Sequence, residues 1–242
     1  MDLGENERID DLELNNLKII QNKKWFCFGI DSVLLSGFAK DIRKGSNILD
    51  LGAGNGILEL LFSAKIPGSK ITGIEVQENV YNLAKRNIEL NNLENRIKIE
   101  NINIKDFICE TKFDAVVTNP PYKESGTGLK NTLDTKIIAR HEVLATLEDF
   151  MKIASINLKD KCSMYMVNRA ERIADIIELA RKYKLEPKEV QFVHSKVKEP
   201  PVLVLVKATK NANRFLKIRE PLYIYNEDGS YTDEVLKIYG KL

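Results

Sequence analysis

The chain has 242 residues, of which 43% are hydrophobic, and this is enough apolar material for one substantial core. The chain has 37 lysines and arginines and 35 aspartates and glutamates, so it is neither strongly basic nor strongly acidic. The net charge of +2 therefore indicates no class of binding partner. We therefore predict a single domain over 1–242, with an edge segment at 1–45, a core at 46–210 and an extension at 211–242.

Three cysteines, Cys27, Cys109 and Cys162, are scattered and form no C-x-x-C pair. This usage is typical of a reducing compartment, and it favours neither a disulfide framework nor a metal site. The first ten residues are acidic, and no apolar run approaches the ~18 residues needed to span a bilayer. We expect a cytoplasmic protein without a membrane partner or a metal, and we favour a monomer.

The first 45 residues predict short extended segments around the turn-like pair Asn15-Asn16, and then a helix capped by Asp31 or Ser32 that runs to about Ala39. From Asn47 onward, strand-like and helix-like stretches alternate, which predicts a parallel sheet with helices on both faces. The strand-like runs are 48–51, 70–75, 96–100, 113–118 and 163–167, and the helix-like runs are 56–65, 78–90, 147–158 and 172–183.

The last two apolar runs, 190–193 and 202–208, are joined by a short loop without a helix. A connection this short cannot make a parallel crossover, so an antiparallel hairpin should close the sheet edge. The predicted fold is thus α/β, with a mostly parallel seven-stranded sheet.

Thr232, followed by two acids, predicts the start of a C-terminal helix. Residues 123–140 lack periodicity and predict a functional loop, with an unspecialised surface loop as the alternative.

Residues 50–56 read Asp-Leu-Gly-Ala-Gly-Asn-Gly and join a strand to a helix. Glycines at such a turn let backbone N–H groups approach a ligand closely. The spacing does not match the dinucleotide pattern, because residue 57 is Ile, nor the phosphate loop, because no G-K-S or G-K-T follows. The carboxylate of Asp50 suits a cationic or zwitterionic ligand and would repel a pyrophosphate.

Two polar residues follow the next strands. Glu75 ends the second strand, where an acid in doubly wound folds accepts hydrogen bonds from ribose hydroxyls. Asn103 follows the third strand, and its amide could recognise an adenine edge. A solvated strand end and a helix cap are the simpler alternatives for Glu75 and Asn103. Their order after the glycine loop favours a cofactor site.

The tetrapeptide Asn119-Pro120-Pro121-Tyr122 closes the fourth strand. An amine conjugated with an aromatic ring or a carbonyl is a poor nucleophile, because its lone pair is delocalised. The Asn119 side-chain oxygen and the Pro120 carbonyl can each accept one N–H of such an amine and aim its lone pair at an electrophile. Both residues precede proline and are held extended, while Tyr122 offers a stacking face worth ~1–3 kcal/mol per base. A rigid proline turn is the alternative, but the position beside the glycine loop, across the switch point, favours a catalytic role.

These motifs resemble known families. Residues 50–56 with Glu75 look like the cofactor site of Rossmann-like S-adenosylmethionine-dependent methyltransferases, and the tetrapeptide is similar to the motif of those that methylate adenine, guanine or glutamine amide nitrogens. Most of the chain resembles the bacterial methyltransferases that modify the exocyclic amine of adenine 37 in valine tRNA. The segments that carry this resemblance are 17–21, 26–35, 119–122, 139–142 and 231–240.

The resemblance implies S-adenosyl-L-methionine as cofactor, tRNA as partner and an adenine amine as methyl acceptor. It also implies that residues 28–31 close over the methionine portion of the cofactor. The expected catalytic residues are Asn119, Pro120, Pro121 and Tyr122, and the expected cofactor-binding residues are Phe28, Gly29, Ile30, Asp31, Asp50, Gly52, Ala53, Gly54, Gly56, Glu75, Val76, Asn103, Ile104 and Asn119.

Lys130, Lys136 and Arg140 are candidates for RNA phosphate contacts, with a solvated surface as the alternative. His141 is interpreted as a helix-start or packing residue and not as a base. Residues 168–172 depart from the His-Arg-Pro-like start of the family, which leaves open which tRNA and which position are modified. A glutamine methyltransferase acting on a protein and a non-catalytic RNA-binding protein on the same fold are the alternative functions.

Overall fold

A computed structural model describes residues 3–25, 27–122 and 145–242. Within these residues the chain forms eleven strands and six α-helices. The strands are β1 Glu7–Asp11, β2 Lys18–Asn22, β3 Asn47–Leu51, β4 Lys70–Glu75, β5 Ile97–Asn101, β6 Phe113–Thr118, β7 Leu158–Arg169, β8 Leu185–His194, β9 Pro201–Lys210, β10 Lys217–Ile218 and β11 Leu222–Tyr223. The helices are α1 Ile30–Phe38, α2 Ile57–Lys65, α3 Glu78–Leu90, α4 Leu147–Asn157, α5 Ile173–Lys182 and α6 Asp233–Tyr239.

The main sheet has the order β5-β4-β3-β6-β7-β9-β8, and the first five of these strands pair in parallel. The last two strands form the predicted antiparallel hairpin, with β9 between β7 and β8. The predicted α/β fold with seven main strands is confirmed. Two strands of two residues each, β10 and β11, pair with β8 and extend the sheet to nine. They are too short for a periodic signal in the sequence.

The core lies on both faces of the sheet. Side chains alternate along a strand, so Ile48 packs into one cluster with α1, α2 and α3, while Leu49 and Leu51 pack into the other with α4 and α5. The central strand β3 is covered on both sides, which explains its nearly continuous apolar sequence. This burial fixes the carboxyl end of β3, where the glycine loop begins.

The short extended segments predicted around Asn15-Asn16 are the strands β1 and β2, which form an antiparallel pair. Asn15 and Asn16, between them, adopt the left-handed conformation with φ of 50° and 58°, which asparagine tolerates better than most residues. Asn87 of α3 docks this hairpin: its side chain accepts the Ile20 N–H at 2.6 Å and donates to the carbonyls of Ile20 at 3.1 Å and Asn55 at 2.8 Å. One buried amide thus joins β2 to the glycine loop.

The predicted start of α1 is wrong by two or three residues. Gly29 occupies the N-cap position and has no side chain to cap the helix, whereas Asp31 and Ser32 lie inside the first turn. Their side chains form hydrogen bonds with Asn119 and Tyr122 instead.

The predicted start of α6 is confirmed, because Thr232 accepts the Val235 N–H at 3.4 Å. The predicted loop 123–140, which contains Lys130, Lys136 and Arg140, lies outside the described residues, and so does His141.

Candidate active site at the carboxyl ends of the central strands

The central strands β3 and β6 are joined where they end. The Thr118 hydroxyl donates to the Leu51 carbonyl at 2.7 Å, and both residues are buried. Thr118 directly precedes Asn119, and Leu51 directly precedes Gly52. The asparagine motif and the glycine loop therefore leave the sheet from adjacent points, as the doubly wound order predicts.

The glycine loop turns sharply above β4. Gly52, Gly54 and Gly56 have φ of +86°, +57° and +86°, a region that L side chains rarely adopt. The N–H groups of Gly52 and Ala53 donate to the Ile74 carbonyl at 3.0 and 2.9 Å, which holds the loop on the neighbouring strand. A Cβ atom on Gly54 would meet nothing within 4 Å, so the space there is open to a ligand.

Glu75 lies beneath this loop at the end of β4. Its carboxylate accepts the Gly54 N–H at 3.1 Å on one oxygen and the Gln77 N–H at 2.8 Å on the other. Burial raises the pKa of this carboxyl, although these backbone donors oppose the rise. Asn101 donates to the carbonyls of Glu75 and Val76 at 2.9 and 3.1 Å and fixes the strand end. The Gln77 side-chain amide also donates to Oε1 at 3.4 Å, so Oε2, the oxygen bonded to Gly54, is the one available to a ribose hydroxyl.

Asn103 and Ile104 lie just beyond β5. The Asn103 side-chain oxygen accepts the Lys105 N–H at 3.0 Å, so it caps the one-turn 3-10 helix Ile104–Asp106. The Ile104 side chain is buried in the same core cluster as Leu49. The helix cap, one of the two predicted roles of Asn103, is present, and adenine recognition stays a prediction.

Asp50 is fully buried, and its environment was not foreseen. Its carboxyl lies beside that of Glu59 on α2, which is also fully buried, and neither has a hydrogen-bond donor among the described residues. Burial first, and then the negative charge of Glu59, raise the pKa of Asp50 well above its usual value. Burial likewise raises the pKa of Glu59. Both carboxyls are therefore harder to ionise than usual, and direct contact of Asp50 with a cofactor stays a prediction.

The asparagine motif faces the start of α1. The Tyr122 hydroxyl lies 2.6 Å from Asp31 Oδ2 and 2.7 Å from Asn119 Oδ1, and Asn119 Nδ2 donates to the Ser32 hydroxyl at 3.3 Å. Phe28, just before this turn, donates its N–H to the Gln21 side chain at 3.1 Å. The structure thus brings the predicted segment 28–31 together with the predicted catalytic residues.

The family comparison bears directly on this arrangement. A family model described as the methyltransferase small domain matches residues 28–178, a span that contains the glycine loop, Glu75 and the asparagine motif. The chain belongs to this family. The predicted resemblance to methyltransferases is confirmed, and the chain is an enzyme of that class.

Relatives of this methyltransferase extend over most of its length. A protein from Pedobacter heparinus named tRNA1(Val) (adenine(37)-N6)-methyltransferase is 27% identical over 203 residues, which cover 84% of this chain and 85% of the relative. A solved structure titled as a predicted O-methyltransferase from Agrobacterium tumefaciens has a TM-score of 0.70 at 22% identity, over 87% of this chain and 96% of that one. A structure titled as P. horikoshii TYW2 in complex with MeSAdo has a TM-score of 0.62 at 16% identity, over 86% and 73%. These two structures support the fold.

Three residues of the methyltransferase site were missed in the sequence. Ser32 and Arg169 contact the asparagine motif, and the Arg169 guanidinium lies 5.4 Å from the Tyr122 ring centroid. No local sequence pattern predicts contacts between residues so far apart in the chain. Glu59 had a signal, since it is a lone acid within the apolar run 57–62. In the described part of the chain, no group of three or more His, Cys, Asp or Glu side chains could hold a metal, and no helix is long and apolar enough to cross a membrane.

Proposed function

We propose that this methyltransferase transfers a methyl group from S-adenosylmethionine to the exocyclic amine of an adenine in tRNA, with adenine 37 of valine tRNA as the specific target. The observation that carries the proposal is the position of Asn119, at a strand end bonded through Thr118 to the carbonyl that precedes the glycine loop. The relative from Pedobacter heparinus bears the name of this activity. Because tRNA is the substrate, we place the reaction in the cytoplasm.

The cofactor site fits S-adenosylmethionine by the chemistry of its donors and acceptors. Glu75 Oε2 can accept a hydrogen bond from a ribose hydroxyl, and the open space at Gly54 admits the ligand next to the loop. Residues 28–31 would cover the methionine portion, as the family resemblance implies. When bound, the cofactor supplies an electrophilic methyl group on a sulfonium sulfur. Asp50 and Glu59, both buried and with raised pKa values, lie before and after the loop, on β3 and α2.

The amine site is formed by the asparagine motif. The Asn119 side-chain oxygen and the Pro120 carbonyl each accept one adenine N–H, which orients the nitrogen lone pair toward the cofactor without a strong general base. Pro120 is buried and precedes Pro121, so its carbonyl is held in place. The Tyr122 ring offers a face on which the base stacks once it has left its own stack.

Asn119→Ala tests the proposal. Loss of one acceptor that acts in the transition state should lower kcat by ~100-fold or more, while calorimetry shows unchanged binding of S-adenosylmethionine. The control is Asn213→Ala, an exposed asparagine of the extension. The assay measures transfer of a tritiated methyl group to tRNA transcripts, and nucleoside mass spectrometry identifies the product. Undiminished transfer by Asn119→Ala, or transfer to a protein glutamine with none to tRNA, would contradict the proposal.

A further inference from the structure

The Tyr122 hydroxyl lies between two acceptors and can serve only one. It is 2.6 Å from Asp31 Oδ2 and 2.7 Å from Asn119 Oδ1, and a hydroxyl carries a single hydrogen. Asn119 Oδ1 is the oxygen that the proposed function assigns to the adenine amine. The destination of one tyrosine hydrogen therefore decides whether that oxygen is available to the substrate.

The carboxylate of Asp31 is the stronger of the two acceptors. A hydrogen bond to a carboxylate is charge-assisted and roughly twice as strong as one to a neutral amide oxygen. Asp31 is only 8% exposed, and the low dielectric of a buried site strengthens the bond further. Burial first, and then the charge of Asp31, hold the pKa of Tyr122 well above its usual value, so its hydroxyl keeps its hydrogen at neutral pH.

The Asp31 carboxylate is held in a fixed orientation. Its Oδ1 accepts the Ser32 N–H at 3.0 Å, which leaves Oδ2 to face Tyr122. On the other side, a Cβ atom at Gly29 would lie 2.9 Å from Oδ1, so the absence of a side chain at Gly29 permits the close approach. The acceptor is therefore in place before any substrate binds.

We propose that Asp31 is a positioning residue, which keeps the Tyr122 hydroxyl turned away from Asn119 Oδ1 so that this oxygen can accept the adenine amine. The inference rests on the proposed function. It gives Asp31 a part in substrate alignment in addition to the closure over the cofactor that the family resemblance implies. Without the carboxylate, the hydroxyl donates to Asn119 and competes with the substrate.

The test is Asp31→Asn, made both in the wild-type protein and in Tyr122→Phe. Because the Ser32 N–H keeps an oxygen at the Oδ1 position, the new amide turns its NH₂ toward Tyr122 and donates to the hydroxyl. The tyrosine hydrogen then goes to Asn119. We expect kcat to fall at least about tenfold in the presence of Tyr122 and less than about threefold in the phenylalanine background, where no hydroxyl competes.

A matched control and a second variant complete the design. Asp41→Asn changes the same kind of pair at the other end of α1, where Asp41 accepts the Tyr165 hydroxyl at 2.9 Å, and it should leave kcat unchanged. Asp31→Ala removes the acceptor without adding a donor and should show the same dependence on Tyr122. Thermal unfolding and calorimetry with S-adenosylmethionine verify that each variant is folded and binds the cofactor.

Three results would overturn the inference. Equal losses from Asp31→Asn in both backgrounds would mean that the hydroxyl does not compete for Asn119. A loss of cofactor affinity that accounts for the whole effect would mean that Asp31 acts only in cofactor binding. A complete loss of transfer in Tyr122→Phe would mean that methyl transfer requires the hydroxyl, which then does not compete with the substrate. Failure of the proposed function looks different, because the wild-type protein itself would then transfer no methyl group to tRNA, and the inference would fall with it.

Discussion

The buried pair of Asp50 and Glu59 makes the stability of this methyltransferase depend on pH. Burial raises the pKa of Glu59 from its usual 4.5 to about 8, and it raises that of Asp50 as well. A carboxyl whose pKa is higher in the folded state stabilises the fold below its unfolded pKa, and this contribution is lost as pH rises through the folded pKa. The free energy of unfolding should therefore decrease between about pH 4.5 and pH 8.

Glu59→Gln removes most of this dependence. Glutamine keeps the shape of the glutamate side chain but does not titrate, and its amide can donate an N–H to Asp50. The pKa of Asp50 then falls, because the neighbouring negative charge is gone. Each pKa unit corresponds to about 1.4 kcal/mol, and ~1 kcal/mol shifts Tm by ~2–4 °C for a chain of this length. Between pH 5.5 and pH 8 the wild type loses about two pKa units of this stabilisation, ~3 kcal/mol, so the Tm of Glu59→Gln should fall by about 6–12 °C less than that of the wild type.

Differential scanning calorimetry at four pH values across that range measures the difference. The comparison is between two slopes, so a constant change of stability caused by the substitution does not affect it. Parallel Tm curves for the two proteins would refute the reasoning, because they would show that Glu59 is already ionised in the folded state. An intact cofactor affinity in Glu59→Gln would place the pair in support of the loop and not in direct contact with the ligand.

Two further predictions concern the docking of the amino-terminal hairpin and the surface beside Tyr122. Asn87→Ala leaves three buried backbone groups without the partners described above, at ~1–3 kcal/mol each, and should lower the free energy of unfolding in urea by at least about 3 kcal/mol. An unchanged urea midpoint would contradict it. Arg169→Ala removes an exposed cation beside the Tyr122 ring, where a phosphate of the bound tRNA would lie, and should weaken tRNA binding by ~0.2–1 kcal/mol in fluorescence anisotropy, with cofactor binding unchanged. Equal tRNA affinity would show that Arg169 makes no contact with the tRNA.

The parts of the fold predicted correctly depend on local patterns. The alternation of strands and helices from β3 onward gave the parallel order, and the short loop before β9 gave the hairpin, because each follows from a few neighbouring residues. The two-residue strands were missed, since they pair only where β8 offers an edge. The start of α1 was misplaced because Asp31 and Ser32 have the chemistry of caps, yet tertiary contacts engage both side chains.

The candidate site shows the same division between local and distant information. The glycine loop and the asparagine motif are contiguous, so their residue types and spacing were informative. The bonds from Tyr122 to Asp31 and from Asn119 to Ser32 join residues 91 and 87 positions apart, and nothing in either segment specifies the partner. Glu59 was predictable only in part, because the sequence shows a lone acid in an apolar helix but not its pairing with Asp50.

The first turn of α1 connects the two halves of the proposed reaction. Phe28 is held by Gln21 of the hairpin, and Asp31 and Ser32 contact the residues that would bind the amine. In the proposed mechanism, residues 28–31 also cover the cofactor. A displacement of this turn would therefore move the cover of the methyl donor and the partners of Asn119 together. Because one short segment serves both sites, binding of the cofactor and alignment of the amine are expected to be coupled.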